Sequence, residues 1–471
     1  MNTLVWLRED LRLLDNPALH YAASIGEVTP VYILPNGLGG ASYWWLHHSL
    51  VSLQASLADR GVRLILRTGD PVKVLAKLCE QVQATSVVWN RVYSPEGIAA
   101  GTALKEGLKQ AAIGYRSFNA QLLIEPTQIL NKQGTPFKVF TPFWRHCMSR
   151  LEPTPLLETP VFVATSHSIE TESLSSWGLL PTSPDWSTGF DARWSPGEAG
   201  AQDKWQIFTE GTISRYKDGR DIPIEENTSM LSPHLAFGEI SPKQIWFDIH
   251  HAIACREIDS DNGVKFLAEI GWREYSRYLL VHFPHIIDQP FNAKFADFPW
   301  QGDEKLLSAW QRGQTGYPIV DAGMRELWAT GYMHNRVRMI TASFLTKHCL
   351  THWKEGMAWF WDTLVDADIG NNTASWQWVA GSGADASPYF RIFNPILQGD
   401  KFDKEGAYIK KWVPELSKLD KKFINKPWEA DPISLQLADI TLGNNYPFPI
   451  VDHKQARESA LAAYKSTKTV V

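Results

Sequence analysis

Cysteine is scarce in this chain: four in 471 residues, Cys79, Cys147, Cys255 and Cys349, with no C-x-x-C pair. Such a set supports neither a disulfide framework nor a thiolate zinc site, and it fits a reducing cytosol. A cytoplasmic protein is expected. No sign of charge dominates, because 46 Lys and Arg stand against 51 Asp and Glu, a net of −5. That balance excludes a disordered chain, a basic nucleic-acid tail and a strongly acidic mimic. A locally basic groove on a mildly acidic body stays open. Long apolar runs are missing too. The longest uncharged stretch, Val28 to Ala58, contains Pro30, Pro35, Asn36, Gly37, Gly39, Gly40 and two histidines, which a bilayer helix does not tolerate. Arg8, Glu9, Asp10 and Arg12 directly follow Leu4–Leu7, so no secretory signal is expected.

The signatures of common chemistries are absent as well. There is no H-E-x-x-H, no G-x-S-x-G and no Walker A loop. The turn after the first apolar segment, Arg8-Glu9-Asp10-Leu11-Arg12, has no glycine where a dinucleotide fingerprint belongs. Gly381-Ser382-Gly383-Ala384-Asp385-Ala386 matches G-x-G-x-x-A, but Ser387-Pro388 follows where a helix ought to start. It reads as an ordinary loop. Asp366 and Asp368 lack further ligands at metal spacing, and no metal is expected. What the chain does have is tryptophan: 21 residues, nine of them between Trp272 and Trp378.

Periodicity divides the chain in two. Leu4–Leu7, Thr29–Leu34, Arg63–Arg67, Ser86–Trp89 and Gln121–Ile124 read as strands. Pro17–Ser24, Trp44–Arg60, Pro71–Gln83 and Glu96–Ala112 read as the helices between them. This alternation predicts a doubly wound, five-stranded parallel sheet over residues 1–130. Residues 131–203, rich in Pro, Ser and Thr, read as a surface linker. Residues 204–471 read as all-α, with Val264–Phe283, Pro318–Ala329, His334–Cys349 and Met357–Val365 as its clearest helices.

Several constellations in the second part could carry chemistry. Thr228, Ser229, Met230, Leu231 and Ser232 form a polar loop leading toward a helix at Pro242. Its N–H and hydroxyl groups suit phosphate, and a plain run of helix-capping residues is the alternative. Glu269, Trp272 and Arg273 share one helical face at i, i+3 and i+4. An acid, an aromatic plate and a cation suit a nucleobase, although an exposed Glu–Arg pair beside a core Trp fits equally. Asn335, Arg338 and Met339 share another face, with Arg336 about 100° away, so that helix can meet two different ligands.

Longer blocks are more specific. Val5–Arg12, Asp15–Leu19, Gly316–Arg325, Asp366–Trp378 and Lys401-Phe402-Asp403 resemble the photolyase/cryptochrome flavoproteins, in order, from Leu4 to about Tyr464. The resemblance implies an N-terminal antenna domain and a helical domain that holds FAD, reduced in its active form. It also implies light-driven repair of cyclobutane pyrimidine dimers in UV-damaged DNA by a monomer with no obligate protein partner. Carried over to this chain, it assigns FAD to Tyr216, Thr228, Ser229, Met230, Leu231, Ser232, Phe266, Arg338, Asp366, Ala367, Asp368 and Asn372. Arg338 and Asp366 are expected to pair, with Asp368 close by and Asn372 facing flavin N5. Arg220, Arg273, Asn335, Arg336 and Gln398 are expected to touch DNA or the lesion. Glu269 and Met339 line the lesion pocket, Trp272 and Trp378 sandwich the dimer, and Trp376, Trp353 and Trp300 relay electrons.

Four features separate the members of that family. Asn335 and Met339 stand where the (6-4) photolyases resemble one another in two histidines. Asn372 is the repair-type choice, where sensory cryptochromes carry Asp or Cys. Only seven residues follow Tyr464, whereas signalling members continue into a tail. Gly39–Leu46 resembles the antenna-domain helix of the class III group. A class III dimer photolyase is therefore expected, with class I the near alternative and a blue-light receptor without repair activity, or a (6-4) photolyase, the functional ones. Asn90-Arg91-Val92-Tyr93 and Glu96 define an antenna pocket only loosely. The class resemblance implies 5,10-methenyltetrahydrofolate as the antenna.

Overall fold

The structure is a computed structural model that describes residues 2–163, 169–386 and 390–467. Strands β1 (Asn2–Leu7), β2 (Glu27–Ile33), β3 (Ile65–Arg67), β4 (Ser86–Asn90) and β5 (Gly114–Phe118) form one parallel sheet in the order β3-β2-β1-β4-β5. Every residue of the central strand β1 is buried, as expected of a strand covered on both faces. The covering helices are α1 (Pro17–Ile25), α2 (Gly40–Ala58), α3 (Pro71–Val82) and α4 (Pro95–Gln110). Three of them start with proline behind a capping side chain, Asn16, Asp70 or Ser94. That order satisfies a free N–H and loses no helical hydrogen bond.

Two expectations for the first part are corrected. The fifth strand is Gly114–Phe118, and Gln121–Ile124 is irregular. The true strand lies at the sheet edge with Gly114, Tyr115 and Arg116 exposed, so it lacks the apolar run that marks a buried strand. Gln121 and Leu123 instead give their main-chain groups to Arg273 and Glu274. The expected linker also contains a helix, α5 (Phe140–Met148), whose Phe143 and Cys147 are buried against Tyr275 and Tyr278. Within the same stretch Glu172 N donates to Leu66 O at 3.2 Å, which covers the exposed edge of β3.

The rest is helical: α6 (Glu198–Glu210), α7 (Tyr216–Gly219), α8 (Ser232–Ala236), α9 (Pro242–Ala254) and α10 (Ser260–His282). Then come α11 (Glu304–Gln311), α12 (Pro318–Thr330), α13 (Asn335–Ser343), α14 (Trp353–Thr363) and α15 (Ile369–Ala380). The last are α16 (Pro395–Phe402), α17 (Ala407–Trp412), α18 (Pro432–Leu437) and α19 (His453–Ser466). The short α8 intervenes before the helix expected at Pro242. The segment His334–Cys349 is not one α-helix: α13 widens into a π-helical turn over Phe344–His348. No described helix is long and apolar enough to cross a membrane.

That π-turn is where α19 docks. His348 Nε2 and His453 Nδ1 lie 2.8 Å apart. Burial pushes His348 down to about 3, with His453 adding to the effect, and burial also lowers His453. Both rings therefore fold neutral, whereas the unfolded chain takes up protons near pH 6.5. The stability they contribute is complete above that pH and falls as pH drops toward 3, by about 1.4 kcal/mol per unit for one histidine. Thermal melts at pH 7.5 and pH 5 should show a larger loss in the parent than in His348→Gln. Equal losses would remove this pair from the acid response.

Candidate active site and nucleic-acid interface

Four charged side chains alternate along one edge of the helical part. Arg220, at the end of α7, donates through Nη1 to Glu269 Oε1 on α10. Its Nε lies 3.9 Å from Asp221, and Asp221 in turn accepts Arg336 Nη2 at 2.9 Å. Arg220 also covers the Tyr216 ring at 5.5 Å, and Arg336 covers Phe402 at 4.5 Å. His334 caps α13 by accepting Arg336 N on Nδ1 at 3.2 Å. Burial pushes its ring down to about 4, against the pull of Asp221, so it is neutral at ordinary pH. Met339 sits half-buried, its sulfur 3.8 Å from Arg336 Nη1. Asn335, the first residue of α13, is exposed, and Gln398 lies half-buried on α16.

Arg273 does not join this row. It is 8% exposed, and its guanidinium donates to Gln121 O at 2.7 Å, to Leu235 O at 3.4 Å and to Glu274 at 3.2 Å. Burial lowers it to about 10. Within the single turn from Glu269 to Arg273, α10 passes from the open edge into the contact between the two halves. The expected nucleic-acid contact is therefore corrected to an interface contact.

Two residues beyond Arg336, Arg338 faces a different group. Its Nη2 is 2.8 Å from Asp366 Oδ2, and its Nε donates to Met333 O at 2.6 Å. Asp366 Oδ1 is buried and has no donor among the described residues. Asp368 turns away from this pair: it takes Arg277 at 2.6 Å and caps α15 through Asn371 N at 2.8 Å. Asn372, in the first turn of α15, donates to Met357 O at 2.9 Å, and Ala367 is half-buried beside the pair. In the polar loop, Ser229 Oγ accepts Leu231 N at 3.4 Å and Thr228 Oγ1 contacts Met230 sulfur at 3.5 Å. Met230 adopts φ +54°, which turns the chain into Ser232 at the start of α8. The side chains of Leu231, Tyr216 and Phe266 are buried in one core cluster. Leu231 is 1% exposed, and its carbonyl accepts Leu235 N at 2.9 Å.

The aromatic residues fall into two groups. Trp272 is half-buried and stacks on Phe140 at 3.7 Å and 9°. Phe140 comes from α5, and nothing in its local sequence signals that role. Trp378 is half-buried on α15. In the second group, Trp376 (2% exposed) packs between Phe360 at 5.0 Å and Trp310 at 6.1 Å. Trp353 contacts His352 at 5.4 Å, and His352 contacts the half-buried Trp300 at 5.2 Å. A histidine thus stands between two of the three expected relay indoles.

In a sheet of this order ligands bind beyond β1 and β4, at the switch point. Here the side chains at those strand ends bond to one another. Arg8 donates to Asn90 O at 2.6 Å and covers Trp6 at 4.4 Å, while Asn90 Nδ2 donates to Asp10 at 2.6 Å and to Asn16 at 2.8 Å. The neighbouring Arg91 and Tyr93 both hold Glu125, at 2.5 and 2.7 Å, whereas Glu96 is exposed. Among the described residues no group of three His, Cys, Asp or Glu is placed to hold a metal. The Ser387-Pro388 that follows the G-x-G-x-x-A match lies outside the described residues, and Gly381 itself ends α15 in the left-handed conformation.

Trp376 depends on a missing side chain. A Cβ on Gly356 would lie 2.1 Å from the indole ring. Gly356→Ala should displace Trp376 and cost about 1–3 kcal/mol, the usual range for overpacking. Denaturant unfolding and the near-UV spectrum check this. An unchanged midpoint with an unchanged indole signal would contradict the close approach.

Comparison with known proteins agrees along the whole chain. A family model described as the FAD binding domain of DNA photolyase matches residues 266–466, and one described as DNA photolyase matches residues 3–161. The deoxyribodipyrimidine photo-lyase of Agrobacterium fabrum is 52% identical, covering 99% of this chain and 98% of that protein. Cryptochrome-2 of Arabidopsis thaliana is 39% identical over 99% of this chain and 79% of its own length. The crystal structure of a bacterial class III photolyase from Agrobacterium tumefaciens matches with a TM-score of 0.97 at 51% identity, covering 100% of this chain and 98% of that one. With both halves matched and its sheet and helices in the same arrangement, the chain belongs to the photolyase/cryptochrome family of FAD-binding proteins.

Proposed function

We propose that this protein is a class III photolyase that repairs cyclobutane pyrimidine dimers in DNA in the light. The observation that carries this reading is the double use of α13. Arg336 faces the Asp221–Arg220–Glu269 row at the open edge, while Arg338, two residues on, faces Asp366. One short helix thus separates a polar nucleic-acid edge from a buried carboxylate oxygen that needs a donor. FAD fits the second side: its N–H and O–H groups can satisfy Asp366 Oδ1, with Asn372 on the helix that follows, and the hydroxyls of Thr228 and Ser229 are assigned to its phosphates. When bound in its reduced form, FAD supplies a light-driven electron to the dimer.

The chain's own residues do the rest. Photolyases are among the enzymes that take their target out of the duplex, and an already damaged pair costs less to extrude. Trp272 and Trp378 offer apolar faces to the flipped dimer, and Phe140 fixes the Trp272 ring from behind. Glu269, oriented by Arg220, would donate a hydrogen bond from its protonated form to the dimer carbonyls, where negative charge develops in a site sheltered from water. Arg220 and Arg336 meet phosphate, and Asn335, Met339 and Gln398 border the same edge. Trp376, Trp353 and Trp300 relay an electron inward from the surface, because indole is oxidisable and buries no permanent charge. A folate antenna is proposed on likeness to class III proteins. The protein is proposed to act as a cytoplasmic monomer.

Measurements on the parent and two variants test the reading. Purified protein with dimer-containing DNA should repair it in blue light and not in the dark, and on denaturation should release pterin fluorescence. Glu269→Ala should lower the repair yield by about tenfold or more and weaken lesion binding much less. A light-independent binder, or an unchanged yield in that variant, would sink the corresponding part of the proposal. Trp376→Phe conserves most of the volume but removes the oxidisable ring. It should abolish photoreduction of the oxidised protein and leave repair by chemically reduced protein intact. Photoreduction at the parental rate would show that the indoles are only core.

A further inference from the structure

One buried polar circuit between the two halves centres on Arg277 of α10. Its Nη2 and Nε both donate to Asp368 Oδ2, at 2.6 and 3.1 Å. Its Nη1 donates to Gln121 Oε1 at 2.7 Å, and Nη2 lies 3.5 Å from Glu9 Oε2. Gln121 Nε2 closes the circuit by donating to Glu9 Oε2 at 2.9 Å. The other oxygen of Asp368 caps α15 through Asn371 N. At Gly370 an added Cβ would lie 3.2 Å from Arg277 Cγ, so the first turn of α15 rests on the arginine stem. Burial raises Glu9. Burial also pushes Asp368 upward, but the Arg277 charge and the Asn371 amide outweigh it and hold that carboxyl below its ordinary range.

Asn372 is one residue beyond that capped turn, and Trp376 and Trp378 follow on the same helix. We infer that Arg277 is a positioning residue: through Asp368 it sets where α15 holds Asn372 and Trp376, and through Glu9 and Gln121 it makes that placement depend on the N-terminal sheet domain. The inference rests on the proposed flavin site beside Asn372. A planar fork is what the geometry uses, because two edges of the guanidinium serve two partners at once. A lysine at 277 keeps the charge but offers one compact ammonium instead. Asparagine at 368 keeps a good helix cap while removing the ion pair.

The test uses full-length, FAD-loaded protein. Arg277→Lys, Asp368→Asn and Glu9→Gln are compared with the parent for the fine structure of the visible flavin band, the flavin midpoint potential and the rate of photoreduction, beside thermal stability. Arg277→Lys and Asp368→Asn should blur the band, shift the potential and slow photoreduction severalfold. Glu9→Gln, on the far side of the circuit, should move all three the same way by less. If these variants melt earlier with parental band, potential and rate, Arg277 is structural only and the inference is overturned. Should Arg277→Lys fail to retain FAD, Glu9→Gln decides, and parental values there overturn it equally. A parent that shows these Arg277-dependent flavin changes yet repairs no dimers would instead refute the repair reading and leave the positioning role standing.

Discussion

A guanidinium group taken out of water needs acceptors on each of its edges, since an unpaired buried charge costs several kcal/mol. Arg12, Arg273 and Arg277 are each buried and together they define how the two halves meet. Arg12 alone donates to the carbonyls of Leu14, Asp15, Ala120 and Gly238. Its partners come from the turn after β1, the segment after β5 and the turn after α8. Arg273 and Arg277 reach the same Gln121 from the other side. The irregular run after β5 is thus fixed by three arginines rather than by a sheet ladder. This arrangement stabilises one docking of the domains specifically, because any other leaves a charge without acceptors.

The same rule shapes the open edge differently. Glu269, Arg220, Asp221 and Arg336 alternate in sign and stay partly solvated. Ion pairs of that kind contribute little to stability, so they can exchange partners when a phosphate or a base arrives. Under the proposed function, a chain of net charge −5 would meet nucleic acid here without a strongly basic patch. Arginines held in place by carboxylates present directed donors, and the long-range field of the protein contributes less. Specificity for an extruded base fits that design better than tight binding to any duplex does.

Strands β1 to β4 and the proline-started helices were legible in the sequence because their signals are local: apolar runs, a capping side chain, a fixed φ. β5 was not, since an exposed edge strand of Gly, Tyr, Arg and Ser has no apolar period. The block from Asp366 to Trp378 was legible as a motif, yet spacing alone could not divide its two aspartates. Asp366 faces Arg338 and Asp368 faces Arg277, and both partners lie on other helices. Arg273 was misread for the same reason. A helical wheel places it beside Glu269, but which sector of α10 is covered depends on Gln121 and Leu235, far away in sequence. Phe140 was invisible because its stack on Trp272 is formed between a presumed linker and a helix more than a hundred residues later.

Tryptophan abundance joins the two domains of argument, packing and chemistry. Trp310, Trp353 and Trp376 are among the largest fully buried side chains, and Trp376 closes onto Gly356 with no room for a methyl group. A core could be filled to the same density with leucine and phenylalanine. Indole adds an oxidisable ring and an N–H that must be satisfied when buried, as Trp310 Nε1 is by Thr341 O at 3.0 Å. The tight fit then matters twice, for it removes both empty volume and freedom of ring orientation. His352 between Trp353 and Trp300 continues the aromatic contact toward the surface without another indole. Burial lowers that imidazole from its ordinary value, with the Lys354 charge adding to the effect, and the Lys354 ammonium itself lies 5.9 Å from the Trp353 ring. Close packing is thus the requirement that these residues share, and a lysine beside Trp353 sets the charge that an oxidised indole there would meet.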